Sequence, residues 1–238
     1  MKKIVFLSGA GISAESGIST FRDSGGLWEN HDVMEVASIQ GWQRNPRVVL
    51  DFYNDRRAQL ASAEPNAAHL AIAALERDYD VVVITQNVDN LHERAGSRRV
   101  IHLHGELTKV RPEDSYTDED GFSEARIKDV GYSAVRLGDT DGRGVQYRPH
   151  IVFFGEAVPK MDEALAELKE ADCMVIVGTS LLVQPAASLW RFTPIGCPVI
   201  VVDPNGTPID GEQDVISIRD KATTGVARAI EMIRDSAR

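Results

Sequence analysis

The sequence is poor in cysteine and has no long apolar run. Its 238 residues include two cysteines, Cys173 and Cys197, which excludes a disulfide framework. Both lie in apolar stretches, where a free cysteine is typical of a core position, so we expect a reducing compartment. No stretch approaches the roughly 20 apolar residues that cross a bilayer. We therefore expect a cytoplasmic protein that does not act in a membrane.

Basic residues are outnumbered by acidic ones. The chain has 26 lysines and arginines against 36 aspartates and glutamates, a formal net charge of -10. Nucleic-acid surfaces neutralise phosphates with clustered lysine and arginine, so we expect no nucleic-acid partner. Small molecules or basic protein partners fit this charge better.

Short apolar runs alternate with helical segments along the chain. Four runs are typical of buried parallel strands: KIVFLS, DVVVITQN, CMVIVGTS and CPVIVVDPN. Helices are predicted over about 46–63, 66–77, 160–171, 185–192 and 221–236. The alternation predicts an α/β fold with a doubly wound, Rossmann-like parallel sheet.

Two segments interrupt this alternation. Residues of about 25–65 are predicted to be helical, and residues of about 107–150 are polar and predicted to be poor in strands. We expect both insertions to form a smaller lobe on a core of about 1–24, 66–106 and 151–238. The whole chain, 1–238, would then be one domain.

A glycine-rich turn follows the first predicted strand. Gly9, Gly11 and Ala14 have the G-x-G-x-x-G/A spacing, which lets a backbone approach a pyrophosphate at a helix N-terminus. The acid that normally binds the ribose about 20 residues later is missing, which weakens a plain dehydrogenase interpretation.

That acid has a candidate late in the chain. A second glycine turn follows the third strand, and an acid with an asparagine ends the fourth. This arrangement would hold the adenosine half of a dinucleotide, although an ordinary βαβ unit is the alternative. The residues are Gly178, Thr179, Ser180, Asp203 and Asn205.

Polar side chains also end the second strand. Gln86, Asn87 and Asp89 lie just beyond its carboxyl end, where doubly wound sheets bind ligands. They can orient a sugar or a carboxamide, or Asn87 and Asp89 can simply cap a helix.

Two histidines, His102 and His104, lie two residues apart and share a side of an extended segment. They could form a metal pair, but no third ligand has suitable spacing. His104, before Gly105, is better placed as a general base, because neutral imidazole accepts a hydroxyl proton near physiological pH.

Six stretches, in this order, resemble the sirtuin family: GAGISAESGISTFRD, TQNVDN, HLHGE, RPHIVFFGE, VGTSLLVQPA and the closing strand PVIVVDPN. The resemblance covers nearly the whole chain. It implies an NAD-dependent protein-lysine deacylase acting on acyl-lysine proteins. In this family the acyl-lysine oxygen attacks the nicotinamide ribose, nicotinamide leaves, and the acyl group moves to ADP-ribose.

The resemblance also assigns site residues. His104 would deprotonate a ribose hydroxyl, with Asn87 as a second catalytic residue. NAD would be bound by Gly9, Ala10, Gly11, Phe21, Arg22, Gln86, Asn87, Asp89, Gly178, Thr179, Ser180, Asp203 and Asn205. Substrate would be bound by Tyr53, Arg56, Phe154, Gly155, Glu156 and Val183. Phe154 would line the acyl-lysine tunnel, and the FFGE stretch would pair with the substrate backbone.

Tyr53 and Arg56 are separated as Y-x-x-R, which resembles the class III sirtuins that remove succinyl, malonyl or glutaryl groups. On a helix the two residues share a face. A guanidinium and a phenol there would bind a terminal carboxylate, which acetyl lacks. The alternative is a surface arginine beside a core tyrosine.

The chain departs from most sirtuins at the zinc ribbon, whose two C-x-x-C pairs close a tetrahedral site. Spacing places Pro112, Ser115, Thr140 and Arg143 at the cysteine positions. We therefore expect no zinc. The module would instead fold on apolar residues: Phe122, Ile127, Val130, Tyr132, Val135 and Leu137.

Two other functions use the same residues. One is an ADP-ribosyltransferase or NAD hydrolase, which needs no base for acyl transfer, so His104 argues against it. The other is a noncatalytic module that binds NAD or ADP-ribose. The presence of Asn87, Asp89 and His104 makes it the weaker alternative.

Overall fold

Parallel strands form the centre of the structure, a computed structural model that describes residues 1–19, 27–28, 31–115, 126–206, 209 and 215–236. The strands are β1 (Lys3–Ser8), β2 (Leu27–Trp28), β3 (His31–Asp32), β4 (Asp80–Thr85), β5 (Val100–His102), β6 (Gly105–Pro112), β7 (Lys128–Asp129), β8 (Tyr147–Ile151), β9 (Cys173–Val177), β10 (Val199–Val202) and β11 (Val215–Ile218). The α-helices are α1 (Val33–Val36), α2 (Ile39–Arg44), α3 (Pro46–Ser62), α4 (Ala67–Leu75), α5 (Leu91–Ala95), α6 (Met161–Leu168) and α7 (Ala222–Asp235).

Six strands make the main sheet, in the order β11-β10-β9-β1-β4-β5. All five neighbouring pairs are parallel. The order reverses at β1, which lies between β9 and β4. A reversal of this kind opens a crevice at the carboxyl ends of the strands, where doubly wound sheets bind ligands.

Apolar clusters cover both faces of this sheet. On one face α4 and α7 contribute Ile72 and Val226, and on the other α6 and a 3₁₀ helix, Ala186–Phe192, contribute Leu168 and Leu189. The strands are buried on both sides, which explains their continuous apolar runs. The predicted α/β fold is confirmed.

The helices begin where the sequence supplies caps. Asn45 accepts a hydrogen bond from the N–H of Val48, and Pro46 occupies the first turn of α3. Asn66 and His69 form a reciprocal capping box at the start of α4. None of the helices within the described ranges is long and apolar enough to cross a membrane.

The smaller lobe combines α1–α3 with an antiparallel sheet in the order β7-β6-β8. A third apolar cluster joins these elements and includes Val49, Phe52, Leu107, Val110 and Phe153. Because this sheet lies within about 105–151, the prediction that 107–150 is poor in strands is wrong. The buried positions of this sheet include the side chains of Arg111 and Arg148. Because these residues are charged, the sequence lacks the alternation of apolar and polar residues that predicts a strand.

Two further details differ from the predictions. The segment predicted as a helix over 185–192 is a 3₁₀ helix. Of the apolar residues expected to stabilise the zinc-ribbon region, Val135 is buried, but Tyr132 and Leu137 are exposed and Phe122 lies outside the described residues. Polar contacts take their place, as described below.

Candidate active site

A cavity of about 690 Å³ lies at the carboxyl ends of β1, β4, β9 and β10 and reaches the smaller lobe. Most of the predicted site residues line it: Gly9, Ala10, Gly11, Tyr53, Gln86, Asn87, Asp89, His104, Phe154, Gly155, Glu156, Gly178, Thr179, Ser180, Val183, Asp203 and Asn205. Arg56 is not among its lining residues. Phe21 and Arg22 lie outside the described part of the chain.

The two glycine turns pack against each other beneath this cavity. The N–H of Gly11 donates to the carbonyl of Gly178 at 2.8 Å, and the N–H of Gly9 donates to the carbonyl of Val177 at 3.0 Å. A Cβ on Gly11 would lie 2.7 Å from the Cα of Gly178, closer than atoms in contact allow. The glycines are therefore required by the crossing of the two turns.

The first turn does not lead into an α-helix among the described residues. It continues as two 3₁₀ turns, Ala10–Ile12 and Ala14–Ser16. The expected helix N-terminus is thus replaced by short turns.

A polar network holds the chain after β4. Asp89 is buried, and its carboxylate accepts hydrogen bonds from the Ser13 hydroxyl at 2.9 Å and the N–H of Leu91 at 3.1 Å. Ser13 in turn accepts from the side-chain amide of Asn87 at 3.2 Å. Burial raises the pKa of Asp89, and the bonds from Leu91 and Ser13 oppose that shift.

Sequence reasoning missed Ser13. It is completely buried and joins the glycine turn to Asn87 and Asp89. Its position inside the glycine motif was the available signal, because a hydroxyl there faces the end of the adjacent strand. Gln86 makes a similar cross-connection, donating from its side chain to the hydroxyl of Thr179 at 2.9 Å.

His104 presents one ring nitrogen to the cavity. Its Nδ1 lies 3.0 Å from the carbonyl oxygen of Gln86. A carbonyl only accepts, so Nδ1 carries the proton and Nε2 keeps its lone pair in the neutral ring. Burial lowers the pKa of His104 below its ordinary value of 6.5. The imidazole is therefore neutral at pH 7 and able to accept a proton.

His102 does not join His104 in a metal site. Its Nδ1 faces the carbonyl of Asn87 at 3.0 Å and its Nε2 faces Glu93 at 2.6 Å, so both nitrogens are engaged. Within the described ranges no group of three histidine, cysteine, aspartate or glutamate side chains could hold a metal ion. The protein partners of both His102 nitrogens favour the general-base interpretation of His104 over a metal pair.

The far end of the cavity is lined by residues after β10. Asp203 is buried, and its carboxylate accepts from the N–H of Asn205 at 2.8 Å. Lys221 and Glu15 line the same end. Hydroxyl, amide and carboxylate groups can bind the diol of a ribose here.

The FFGE stretch forms the opposite wall, and several of its backbone groups bond within the chain. The N–H of Phe154 donates to Ala37 and its carbonyl accepts from Ile39, while the N–H of Glu156 donates to Phe153. These backbone groups of Phe154 and Glu156 are thus engaged within the chain, and pairing of the stretch with a substrate backbone stays a prediction.

The Glu156 side chain is likewise engaged. Its carboxylate accepts from both terminal nitrogens of Arg148, at 2.6 and 2.9 Å, from Arg111 at 3.0 Å, and from the N–H of Phe153 at 2.8 Å. All three ionised side chains are buried. Glu156 therefore organises this wall, and a direct bond from its carboxylate to substrate would compete with these partners.

Tyr53 lies on α3 with its ring against aromatic neighbours, including Phe52 and Phe153 at centroid distances of 5.1 and 6.0 Å. Its hydroxyl is buried and has no hydrogen-bond partner among the residues that the structure describes. Burial raises the pKa of this phenol, so it stays protonated. The Arg56 guanidinium lies over the Phe52 ring, 5.1 Å from its centroid.

The zinc-ribbon positions lack the chemistry of a zinc site. Arg143, at one of these positions, pairs with Asp114 at 3.2 Å and with Asp141 at 3.7 Å. Arg126 bridges the same two carboxylates at 2.8 and 2.7 Å. Arginine cations thus balance these acids, and the two cysteines lie in the main sheet region, with Cys173 in β9 and Cys197 just before β10. Proline, serine, threonine and arginine, the residue types at the four positions, are not among the usual zinc ligands.

A doubly wound sheet, two crossed glycine turns and a neutral imidazole in the same cavity define a nucleotide-binding enzyme. Residues 9–185 match the model of the Sir2 family. The chain is 47% identical over 235 residues to an NAD-dependent protein deacylase of Bacteroides thetaiotaomicron, covering 98% of each chain. It is 51% identical over 222 residues to one of Helicobacter pylori, covering 93% of each.

Solved structures agree with these matches. A Sir2 homologue variant in complex with ADP-ribose has a TM-score of 0.84 and 39% identity, with 99% of this chain and 93% of that chain covered. A Sir2 homologue in complex with NAD has a TM-score of 0.82 and 38% identity, covering 100% and 91%. The chain belongs to the Sir2 family, the sirtuins.

Proposed function

We infer that the protein is an NAD-dependent protein-lysine deacylase. The observation that carries this function is the His104 imidazole, which is neutral, oriented by the Gln86 carbonyl and exposed to the cavity. The relatives named above are NAD-dependent protein deacylases, and one structural neighbour, with a TM-score of 0.75, is a Sir2 bound to acetylated peptide.

The cavity has the chemistry to hold NAD. The crossed glycine turns bring backbone to its floor, where no Cβ fits. Gln86, Asn87 and Asp89 would bind the nicotinamide ribose and carboxamide, while Ser180, Asp203 and Asn205 would bind the adenosine side. When bound, NAD supplies a ribose carbon that becomes electrophilic as nicotinamide departs.

Side chains of the protein would then position the ribose and remove a proton from one of its hydroxyls. Ser13 holds Asn87 and Asp89 in one arrangement through its two hydrogen bonds. His104 accepts a proton from a ribose hydroxyl at Nε2, since Nδ1–H is fixed on Gln86. Phe153 and Phe154, which line the cavity, would exclude water around a bound acyl-lysine.

We further propose that the enzyme acts on acidic acyl groups, such as succinyl and malonyl, as well as or in preference to acetyl. The support is Tyr53, which lines the cavity and whose buried hydroxyl has no hydrogen-bond partner among the described residues. A buried hydroxyl in this state can donate a full hydrogen bond to a ligand carboxylate. Arg56, three residues further along the same helix, would supply the charge.

The test is product mass spectrometry with NAD and two peptides that differ only in acetyl-lysine or succinyl-lysine. We expect succinyl-ADP-ribose in excess, and we expect Arg56→Met and Tyr53→Phe to lower succinyl transfer more than acetyl transfer. Arg47→Met is the matched control, because Arg47 lies exposed on the same helix and pairs with Asp51.

Each outcome has a clear meaning. Equal losses on both peptides would assign Tyr53 and Arg56 a structural role and overturn the acyl preference alone. Nicotinamide release without any acylated nucleotide would instead favour the ADP-ribosyltransferase or NAD hydrolase function. Binding of NAD with no turnover would favour a noncatalytic module.

We also propose that the small lobe holds no zinc. Support comes from the residue types at its four cysteine positions and from the arginine pairs with Asp114 and Asp141. Metal analysis of the purified protein should find less than one tenth of an equivalent of zinc, an order-of-magnitude threshold for a structural site that is filled when present. One equivalent retained through a chelator would contradict this.

A further inference from the structure

Two histidines bind two successive carbonyls at the end of β4. His104 Nδ1 faces the carbonyl of Gln86 at 3.0 Å, and His102 Nδ1 faces the carbonyl of Asn87 at 3.0 Å. Here the parallel pairing of β4 with β5 has ended, since its last register pair is Thr85 with His102. The two imidazoles thus serve as hydrogen-bond partners for the Gln86 and Asn87 carbonyls, where a neighbouring strand would otherwise pair with them. They hold the peptides of these two residues, whose side chains line the cavity.

His102 is engaged at both ring nitrogens. The Asn87 carbonyl can only accept, so Nδ1 carries a proton. Nε2 lies 2.6 Å from Glu93 on α5, and an ionised carboxylate also only accepts. Both nitrogens therefore carry protons, and the ring is a cation.

The surroundings are consistent with this charge. Although burial opposes it, the hydrogen bond and charge of Glu93 raise the pKa of His102 above 6.5, with help from Glu106. The same pair lowers the pKa of Glu93 against the effect of burial. The other titratable groups that act on His102 or Glu93 through their charge include His69, Asp89, His92, Lys109 and His150. Lys160 and Glu163 line a second cavity, which His102 and Glu93 also line.

We propose that His102 and Glu93 form a positioning pair for the deacylase reaction: the imidazolium, held by Glu93, fixes the Asn87 peptide and so aligns Asn87, Asp89 and the base His104. This proposal rests on the proposed function of His104. Neither residue of the pair needs to touch substrate. Burial raises the pKa of Asp89, and the charge on His102 opposes that rise, which favours the ionised carboxylate in the cavity.

The pair predicts an alkaline limit to turnover. His104 must be neutral, so activity falls at acidic pH as it gains a proton. His102 must be charged, so activity also falls at alkaline pH as it loses one. Glu93→Gln removes the charge that raises the pKa of His102, and the alkaline limb of the kcat profile should move to lower pH while the acidic limb stays.

The first experiment is independent of turnover. Imidazole ¹⁵N NMR of the whole protein should show His102 protonated at both nitrogens at pH 7, and Glu93→Gln should make it lose a proton at lower pH. A neutral His102 ring in the wild type at pH 7 would overturn the proposal, whatever the enzyme catalyses.

The second experiment measures kcat against pH for Glu93→Gln, His102→Leu and His102→Asn. We expect roughly a tenfold loss for His102→Leu, since small misalignments of reacting groups carry losses of this size. His102→Asn should recover part of it, because its amide N–H can reach the Asn87 carbonyl. Losses that are equal at every pH, with no recovery by asparagine, would assign the pair a purely structural role.

Glu64→Gln is the matched control. Glu64 pairs at 2.9 Å with Arg94, which lies next to Glu93 on α5, and the Glu64 side chain is 77% exposed. Its removal should leave the pH profile unchanged. If wild-type protein yields no acyl-ADP-ribose, the proposed function fails, while the NMR result still decides the charge state of His102.

Discussion

Glu156→Gln should destabilise the fold strongly. The wild-type carboxylate accepts hydrogen bonds from Arg148, Arg111 and the N–H of Phe153, all in a buried setting. Glutamine keeps one acceptor oxygen, but its NH₂ group faces donors, and two buried guanidiniums lose their counter-charge. Removing one partner of a buried ion pair costs about 3–5 kcal/mol.

That loss is large for a domain whose whole stability is about 5–15 kcal/mol. For a chain of this size it corresponds to a fall in Tm of roughly 6–20 °C. Urea unfolding followed by circular dichroism measures the free energy, and calorimetry measures Tm. Glu170→Gln is the control, because Glu170 pairs with Lys3 but is 73% exposed, and exposed pairs contribute about 0–1 kcal/mol.

A loss below about 1 kcal/mol for Glu156→Gln, equal to that expected of the exposed control pair, would refute this reasoning. It would mean that water or a rearranged side chain compensates the two arginines. Glu156 would then be free to act on substrate, as the sequence suggested.

Three further predictions concern the glycine turns, the base and the small lobe. Gly11→Ala places a Cβ 2.7 Å from the Cα of Gly178, so we expect a loss of about 1–3 kcal/mol and weaker NAD binding by calorimetry; unchanged affinity and Tm would contradict the crossing of the turns. His104→Ala should abolish acyl-ADP-ribose formation while NAD still binds, and the acidic fall of wild-type turnover should lie below pH 6.5, because burial lowers the pKa of His104; near-normal turnover by the variant would exclude it as the base. The pKa of Asp141 is lowered from 3.8 to about 2, chiefly by its hydrogen bond from Arg126, so this pair stabilises the fold above pH 3.8 and the effect is lost as pH falls through 2. Acid unfolding of Asp141→Asn should therefore be less steep over that range, and an identical acid transition would show that the pair is not coupled to folding.

The main sheet was predictable because its strands are buried on both faces. Their sequences are continuous apolar runs, and β1, β4, β9 and β10 all lie where such runs occur. The short edge strands β5 and β11 lack this signal. In β11, Ile216 is itself partly exposed, so neither length nor apolar content distinguishes it from a loop.

The smaller lobe was harder to predict because charged side chains occupy buried positions that apolar side chains usually fill. Arg111 and Arg148 point inward from β6 and β8 and are satisfied by Glu156 from a distant loop. A local sequence pattern does not predict an ion pair between residues so far apart in the chain. The same holds for Arg126, whose partners Asp114 and Asp141 come from both sides of the insertion.

Most of the candidate site could be predicted because its residues lie just beyond the ends of buried strands, which the apolar runs of the sequence locate well. Gln86, Asn87 and Asp203 lie just beyond strands, so the topology alone brings them together. Ser13 and His102 were not assigned because their roles depend on hydrogen bonds across elements. Arg56 shows the converse, since helical spacing places it beside Tyr53 but does not place it on the cavity wall.

The central claim is tested most directly by the mass of the nucleotide product when wild-type protein is mixed with NAD and an acyl-lysine peptide. The account predicts O-acyl-ADP-ribose, formed in step with nicotinamide and deacylated peptide. Nicotinamide accompanied by unmodified ADP-ribose, with the peptide still acylated, would contradict it.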